Sequence, residues 1–150
     1  MSKKFDFNDC RKLILNHFEK PNFKVEKLTD FSGGKLVCTE KSNSCSDFFK
    51  INFLIVKEEI VKAQFAGTGC VLSTSSLDML LANIVKKTVS QALEIVEKYL
   101  LLVEGKLIES QKNEFWGLIC FQYILKQPNR FFCVVTGARA ILKLLRELIN

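Results

Sequence analysis

The chain has 150 residues, of which 48% are hydrophobic, and a formal net charge of +6 at pH 7. This length and apolar content suffice for one domain with a sizeable core, and they exclude a disordered chain. The positive charge is spread in short pairs, without a basic block interleaved with stacking aromatic residues, so nucleic-acid binding is not expected.

The absence of a recognisable targeting signal and the cysteine content together indicate the expected cellular environment. The apolar runs are too short to span a bilayer, and residues 1–6 lack the apolar core of a signal peptide. We therefore expect a cytoplasmic protein with no membrane partner and a single domain over residues 1–150. In a reducing compartment, six cysteines indicate metal or thiol chemistry before disulfides.

The first predicted element is a helix over residues 6–20. Asp6 or Asn8 can cap its N-terminus, and Pro21 ends it. His17, the only histidine, falls on the apolar stripe of this helix. That position favours a satisfied, partly buried imidazole over a metal ligand.

A small antiparallel sheet is predicted next. Residues 21–34 are expected to be extended, and residues 35–40 to form a first short strand. Residues 49–55 alternate between apolar and polar, and a turn at residues 57–59 leads into a second alternating segment, which predicts a hairpin. In that second segment, Val61 and Phe65 are expected on one face and Ile60 on the other.

Helical periodicity begins after Cys70 and continues to the end of the chain. Ser75 with Asp78, and Thr88 with Gln91, have capping-box spacing. Gly105 closes the second of these helices. The stripes of the two helices are Leu77, Leu80, Leu81 and Ile84, and then Ala92, Leu93, Val96 and Leu100.

Two further helices are expected near the C-terminus. One covers residues 113–126 and ends before Pro128, and the last carries the stripe Ile141, Leu142, Leu145 and Leu148. The predicted fold class is therefore α+β: an N-terminal helix, a small sheet of about three antiparallel strands, and several helices packed on one side of it.

The stretch from Phe65 to Ser76 joins the apolar strand to the next helix. Gly67 and Gly69 allow a sharp turn, and the serines and threonine offer N-caps. Cys70 therefore lies near amide N–H groups and the positive end of a helix dipole, a setting that favours thiolate. A buried structural cysteine remains an equal alternative from this stretch alone.

Two more positions carry sulfur or carboxylate near predicted element ends. Cys45 and Asp47 point the same way from an extended segment, and the hairpin brings the region of Asp47 beside Cys70. Cys133, in Arg130-Phe131-Phe132-Cys133, directly precedes the last helix. Three thiolates and one carboxylate could bind a zinc ion, or they could supply some of the ligands of an iron–sulfur cluster.

Four stretches together resemble the U-type iron–sulfur cluster assembly family, which includes IscU, SufU and the N-terminal domain of NifU. They are Asn16 to Asn22, Cys45-Ser46-Asp47, Phe65 to Ser76 and Arg130 to Cys133. The long gap between Cys70 and Cys133, and Phe132 in place of a histidine, resemble the SufU branch. Ser46 replaces the family's glycine, so the first loop is expected to differ.

The resemblance implies a zinc ion held by Cys45, Asp47, Cys70 and Cys133. It also implies that persulfide sulfur arrives from a PLP-dependent cysteine desulfurase, with recipient apo iron–sulfur proteins or other acceptors downstream. Cys45 or Cys133 would accept the sulfur, with Cys45 ahead because its loop is polar. Arg130 would steady the thiolates or a persulfide.

Several alternatives stay open at the level of sequence. The protein either holds a transient iron–sulfur cluster as a scaffold, without turnover of its own, or acts as a zinc-dependent sulfurtransferase. A zinc-stabilised protein-interaction module without sulfur transfer is the alternative from another class. Of the remaining cysteines, Cys10 and Cys120 are expected to be core residues, and Cys38 to be either a strand residue or an accessory thiol.

Overall fold

The computed structural model describes residues 6–40, 47–107, 111 and 117–149. Its order of elements confirms the predicted α+β class, because an N-terminal helix and a three-stranded antiparallel sheet precede several helices. The elements are α1 (Phe7–Glu19), β1 (Lys35–Cys38), β2 (Phe48–Val56), β3 (Glu59–Thr68), α2 (Val71–Ile84), α3 (Val89–Val103), two 3-10 helices (Leu118–Lys126 and Pro128–Arg130) and α4 (Phe131–Ile149).

The sheet has the strand order β1-β2-β3, and its predicted apolar face is confirmed. Phe49, Ile51 and Phe53 are fully buried against the helices. The prediction for Val61 was wrong, because the register shifts between Leu54 and Ile55 and leaves Val61 as the extra residue of a bulge. Ile60 consequently pairs with Ile55 and is fully buried.

The extended stretch after α1 covers the other face and edge of the sheet. The Phe65 amide donates to the carbonyl of Phe23, and the Val25 amide donates to the carbonyl of Phe65. Thr29 then hydrogen-bonds with the side chains of Asn52 and Gln64, which are buried on this face. These bonds satisfy polar side chains that the sheet would otherwise bury without partners.

Helices α2 and α3 follow the predicted stripes. All four stripe residues of α2 are buried, as are Ala92 and Val96 of α3. The Thr88–Gln91 capping box is present, with each residue's backbone N–H donating to the other's side chain at 3.0 and 3.1 Å. Gly105 comes just after the end of α3 and has a positive φ, as its position after the stripe predicted.

The helix predicted over residues 113–126 is a 3-10 helix rather than an α-helix where the structure describes it, and its residues 113–116 lie outside the described residues. After Gly117 the chain forms a 3-10 helix, Leu118–Lys126. Three of its buried residues, Leu118, Phe121 and Ile124, recur every three positions, which is the period of a 3-10 helix and places them on one face.

Cys10 and Cys120 are buried as predicted, at 3% exposure each, but they are joined by a disulfide. The expectation of thiol chemistry before disulfides was therefore wrong for this pair. Its physical reason is tertiary: α1 packs beside the 3-10 helix and brings the two Cα atoms to 5.1 Å, within disulfide reach.

The last helix begins earlier than predicted. Cys133 is the third residue of α4 rather than a residue before it. α4 packs closely on α2, since a Cβ on Gly137 would lie 2.9 Å from Cδ1 of Leu77. Among the described residues, no helix combines the length and the apolar character needed to cross a membrane.

Candidate metal centre

The turn between β3 and α2 depends on its two glycines. A Cβ on Gly67, which has a φ of 134°, would lie 2.1 Å from the carbonyl oxygen of Phe48 on β2. A Cβ on Gly69 would lie 2.4 Å from both Cζ of Phe49 and Oγ of Ser73. Only glycine permits this close approach, which presses the start of α2 against the end of the hairpin.

Cys70 itself is the N-cap of α2, so the prediction that a serine or threonine caps this helix was wrong. Its Sγ accepts a hydrogen bond from the Ser73 backbone N–H at 3.4 Å. The thiol is therefore half-buried beside the first amides of the helix, as the strand-to-helix turn predicted.

Asp47 immediately precedes β2, and the predicted hairpin register brings it beside Cys70. Its Oδ1 accepts a hydrogen bond from the Cys70 backbone N–H at 3.2 Å. Its Oδ2 is buried and has no hydrogen-bond partner among the described residues. A buried carboxylate oxygen without a partner is costly, and a cation is the partner that would compensate it best.

Cys133 reaches the same point from the first turn of α4 and is 8% exposed. Behind it, the hydroxyl of Tyr99 on α3 donates to the carbonyl oxygen of Val134 at 2.7 Å. Tyr99 is fully buried, and this burial raises its pKa well above the usual range, so the hydroxyl stays protonated as a donor. The first turn of α4 is thereby anchored to α3.

One carboxylate oxygen of Asp47 and the sulfur atoms of Cys70 and Cys133 all lie within 4.8 Å of one another. In a tetrahedral zinc site with Zn–S bonds of about 2.3 Å, neighbouring ligand atoms lie about 3.8 Å apart. Two thiols and a carboxylate also form a donor set that zinc accepts. The residues present therefore fit such a metal, in both spacing and chemistry.

The other predicted site residues have different outcomes. Cys45, the fourth ligand of the resemblance, lies outside the described residues, two positions before Asp47. Arg130 is exposed in the 3-10 turn before α4, and the contacts of the described residues do not join its guanidinium to the cluster. Cys38 is exposed at the end of β1.

His17 is buried in a contact with Asp78, which confirms the prediction of a satisfied imidazole. Its Nδ1 lies 2.6 Å from Oδ2 of Asp78, and the backbone N–H groups of Asn22 and Phe23 donate to the same carboxylate. The capping-box assignment of Asp78 with Ser75 was wrong, because α2 begins earlier and Asp78 lies in its second turn.

Sequence reasoning missed two contributions to this part of the molecule. Asp78 was not paired with His17, although both lie at positions that face inward on their helices. Ser73 was treated only as one of several possible caps, although its position three residues after Cys70 has the spacing of an N-cap contact.

Similarity to known proteins identifies a family. A family model described as the NifU-like N terminal domain matches residues 9–110. The zinc-dependent sulfurtransferase SufU of Bacillus subtilis is 23% identical over 133 residues, covering 89% of this chain and 86% of that protein. The iron–sulfur cluster assembly scaffold protein IscU of Streptococcus pyogenes is 24% identical over 107 residues, covering 71% and 67%.

A solved structure has the same fold. It is a candidate iron–sulfur cluster assembly scaffold protein for the SUF system from Fervidobacterium islandicum. It superposes with a TM-score of 0.74 at 25% identity and covers 89% of this chain and 94% of that one.

Proposed function

The chain belongs to the NifU-like N-terminal domain family of iron–sulfur cluster assembly proteins, and from that premise we propose that it binds zinc and accepts persulfide sulfur. The proposed ligands are Cys45, Asp47, Cys70 and Cys133. The observation that carries this proposal is the convergence of Asp47, Cys70 and Cys133, whose ligand atoms lie within 4.8 Å of one another.

Each element contributes a defined part to the proposed site. The segment before β2 presents Asp47, whose Oδ1 is held by the Cys70 amide while its buried Oδ2 is left for a cation. The glycine turn fixes Cys70, and the Tyr99 hydrogen bond steadies the first turn of α4 below Cys133. When bound, zinc would hold the sulfur atoms as thiolates at neutral pH.

The proposed transfer is an exchange at sulfur. A PLP-dependent cysteine desulfurase presents a cysteine persulfide, and a thiolate of this chain attacks its outer sulfur. A new S–S bond forms on the acceptor, the old S–S bond breaks, and the desulfurase cysteine leaves as a thiolate, so no net oxidant is needed. Cys45 is our first choice of acceptor, because Cys133 is 8% exposed and meets a partner less readily.

A first experiment tests the metal site. Protein purified anaerobically without chelators is analysed for metal, together with Cys70→Ala and Asp47→Ala, with Cys38→Ala as the matched control outside the cluster. We expect about one zinc per chain in the wild type and in the control, and loss in the two site variants. Iron with sulfide would instead support the scaffold mode, and the absence of any metal after reconstitution would refute the site.

A second experiment tests sulfur receipt. The zinc-loaded protein is incubated with a cysteine desulfurase and cysteine, and the added sulfur is located by peptide mass spectrometry. We expect it on Cys45, and Cys45→Ala should abolish stimulation of the desulfurase. Full stimulation of that variant would contradict the assignment and leave Cys133 as the acceptor.

A closed, structural zinc is the second candidate function. It is favoured by one observation: the three clustered residues belong to the starts of β2, α2 and α4, so a metal there would join three elements. If the metal is only structural, its removal unfolds the chain and sulfur transfer is absent. Circular dichroism of the metal-free protein distinguishes the two, because a sulfur-accepting site is expected to leave the fold intact.

A further inference from the structure

Ser73 directs both of its polar groups at Cys70. Its backbone N–H donates to Sγ of Cys70 at 3.4 Å, and its Oγ lies 3.5 Å from the same sulfur. The hydroxyl also lies 3.3 Å from the carbonyl oxygen of Cys70, to which it donates. Ser73 is 1% exposed, so water does not compete for these groups.

The position of this hydroxyl is confined by the glycine turn. A Cβ on Gly69 would come within 2.4 Å of Oγ of Ser73, so the absence of a side chain at Gly69 is what makes room for it. The ring of the fully buried Phe49 reaches the same point, since that Cβ would also lie 2.4 Å from its Cζ. The hydroxyl and the ring thus both border the space that a side chain at Gly69 would occupy.

The neighbouring serines of α2 behave differently. Oγ of Ser75 donates to the carbonyl of Val71 at 2.6 Å, and Oγ of Ser76 donates to the carbonyl of Ser73 at 3.2 Å. These are the ordinary backbone contacts of a serine inside a helix. Within the part of the chain that the structure describes, Ser73 is the serine of this run whose hydroxyl contacts the Cys70 sulfur.

We propose that Ser73 is a positioning residue for the metal centre: it holds the Cys70 side chain in its ligating orientation and donates a hydrogen bond to the metal-bound sulfur. This inference rests on the proposed function. A metal-bound thiolate has no proton to donate, so the hydroxyl turns its own hydrogen from the Cys70 carbonyl to the sulfur. Such outer contacts typically change metal affinity by about 10–100-fold.

The test compares two serine-to-alanine variants in the full chain. Ser73→Ala removes the hydroxyl at the sulfur, whereas Ser75→Ala makes the same chemical change on the same helix without touching Cys70. Zinc affinity is measured by competition with a chromophoric chelator. We expect about a tenfold or greater loss for Ser73→Ala and an unchanged affinity for Ser75→Ala.

A spectroscopic readout separates positioning from simple loss of folding. With Co²⁺ as the probe, the thiolate-to-metal charge-transfer band should move to longer wavelength in Ser73→Ala, because a sulfur relieved of a hydrogen bond donates charge more easily. Thermal unfolding of the two metal-free variants should be similar. If Ser73→Ala matches Ser75→Ala in affinity and spectrum, the role of Ser73 is refuted, while metal binding by the wild type still supports the proposed function.

Discussion

Helix α2 lies between two regions that treat buried carboxylates differently. On the side of α1, Asp78 is fully buried and its two oxygens meet the His17 imidazole and two backbone N–H groups. At the start of the helix, Asp47 is also buried, but its Oδ2 has no hydrogen-bond partner among the described residues. Both oxygens of Asp78 therefore have hydrogen-bond partners from the chain, whereas Oδ2 of Asp47 is placed to bind a cation.

The cysteines show the same contrast. Cys10 on α1 and Cys120 on the neighbouring 3-10 helix are joined in a disulfide. At the start of α2, Cys70 and Cys133 lie within 4.8 Å and are not joined. The α1 side therefore holds its two sulfur atoms in a covalent bond, whereas the two sulfur atoms at the start of α2 are thiols that a metal could bind. Four predictions test this difference.

The largest effect is expected at Asp78. Asp78→Ala removes the acceptor that His17, Asn22 and Phe23 share inside the protein, and each buried hydrogen bond lost in this way costs about 1–3 kcal/mol. Urea unfolding of the metal-free protein measures the loss. Asp47→Ala is the matched control, because among the described residues its carboxylate accepts one hydrogen bond, worth about 1 kcal/mol. Equal losses of unfolding free energy in the two variants would contradict the proposed difference between Asp78 and Asp47.

The disulfide gives the next effect. Reduction of the metal-free protein, or the double change Cys10→Ser and Cys120→Ser, should lower the free energy of unfolding by about 2–4 kcal/mol, because the cross-link closes a long loop in the unfolded chain. Cys38→Ser, at an exposed thiol, should leave it unchanged. Titration of six thiols in the denatured, unreduced protein would show instead that the bond does not form.

Zinc should raise the free energy of unfolding through the residues clustered at the start of α2, and not through the disulfide. At a free zinc concentration of about 100 times the dissociation constant, binding adds about 2.7 kcal/mol to the wild type. The gain should disappear in Asp47→Ala and in Cys70→Ala, and should persist in the Cys10→Ser, Cys120→Ser double variant. Thermal unfolding with and without zinc measures it. A full gain in Asp47→Ala would remove Asp47 from the proposed ligands.

The smallest effect concerns the support behind Cys133. Tyr99→Phe removes the hydroxyl that donates to the Val134 carbonyl and should cost about 1 kcal/mol at neutral pH. Because burial raises the pKa of Tyr99 in the folded state, the unfolded chain releases this proton first, and the wild type loses stability as pH rises above about 10. Urea unfolding against pH should show a shallower alkaline decline in Tyr99→Phe, and an unchanged slope would contradict this origin.

Local patterns predicted much of the fold. The alternation in β2, the stripes of α2 and α3 and the Thr88–Gln91 capping box were readable because each depends on residues close in sequence. The 3-10 helix after Gly117 was missed because its aromatic and aliphatic residues suit an α-helix equally well, and packing decided the period. The bulge at Val61 was missed because it depends on strand pairing.

The candidate site divides in the same way. The glycine turn, Cys70 as a residue at a helix start, and the approach of Asp47 through the hairpin register are consequences of local geometry and a short connection. Three other features depend on burial and on how α4 packs against α2. They are the position of Cys133 inside the first turn of α4, the Asp47 oxygen that has no partner among the described residues, and the Ser73 contact.

The sequence by itself determined the class of the fold and the turn that carries Cys70, and it indicated the candidate donor residues, because propensity, periodicity and spacing are properties of neighbouring residues. Only the tertiary structure decided which cysteines bond to each other and which face a shared point. Cys10 meets Cys120 across 110 residues, and Cys70 meets Cys133 through helix packing. Contacts between residues so far apart in the sequence depend on how the whole core packs, and no local sequence pattern predicts them.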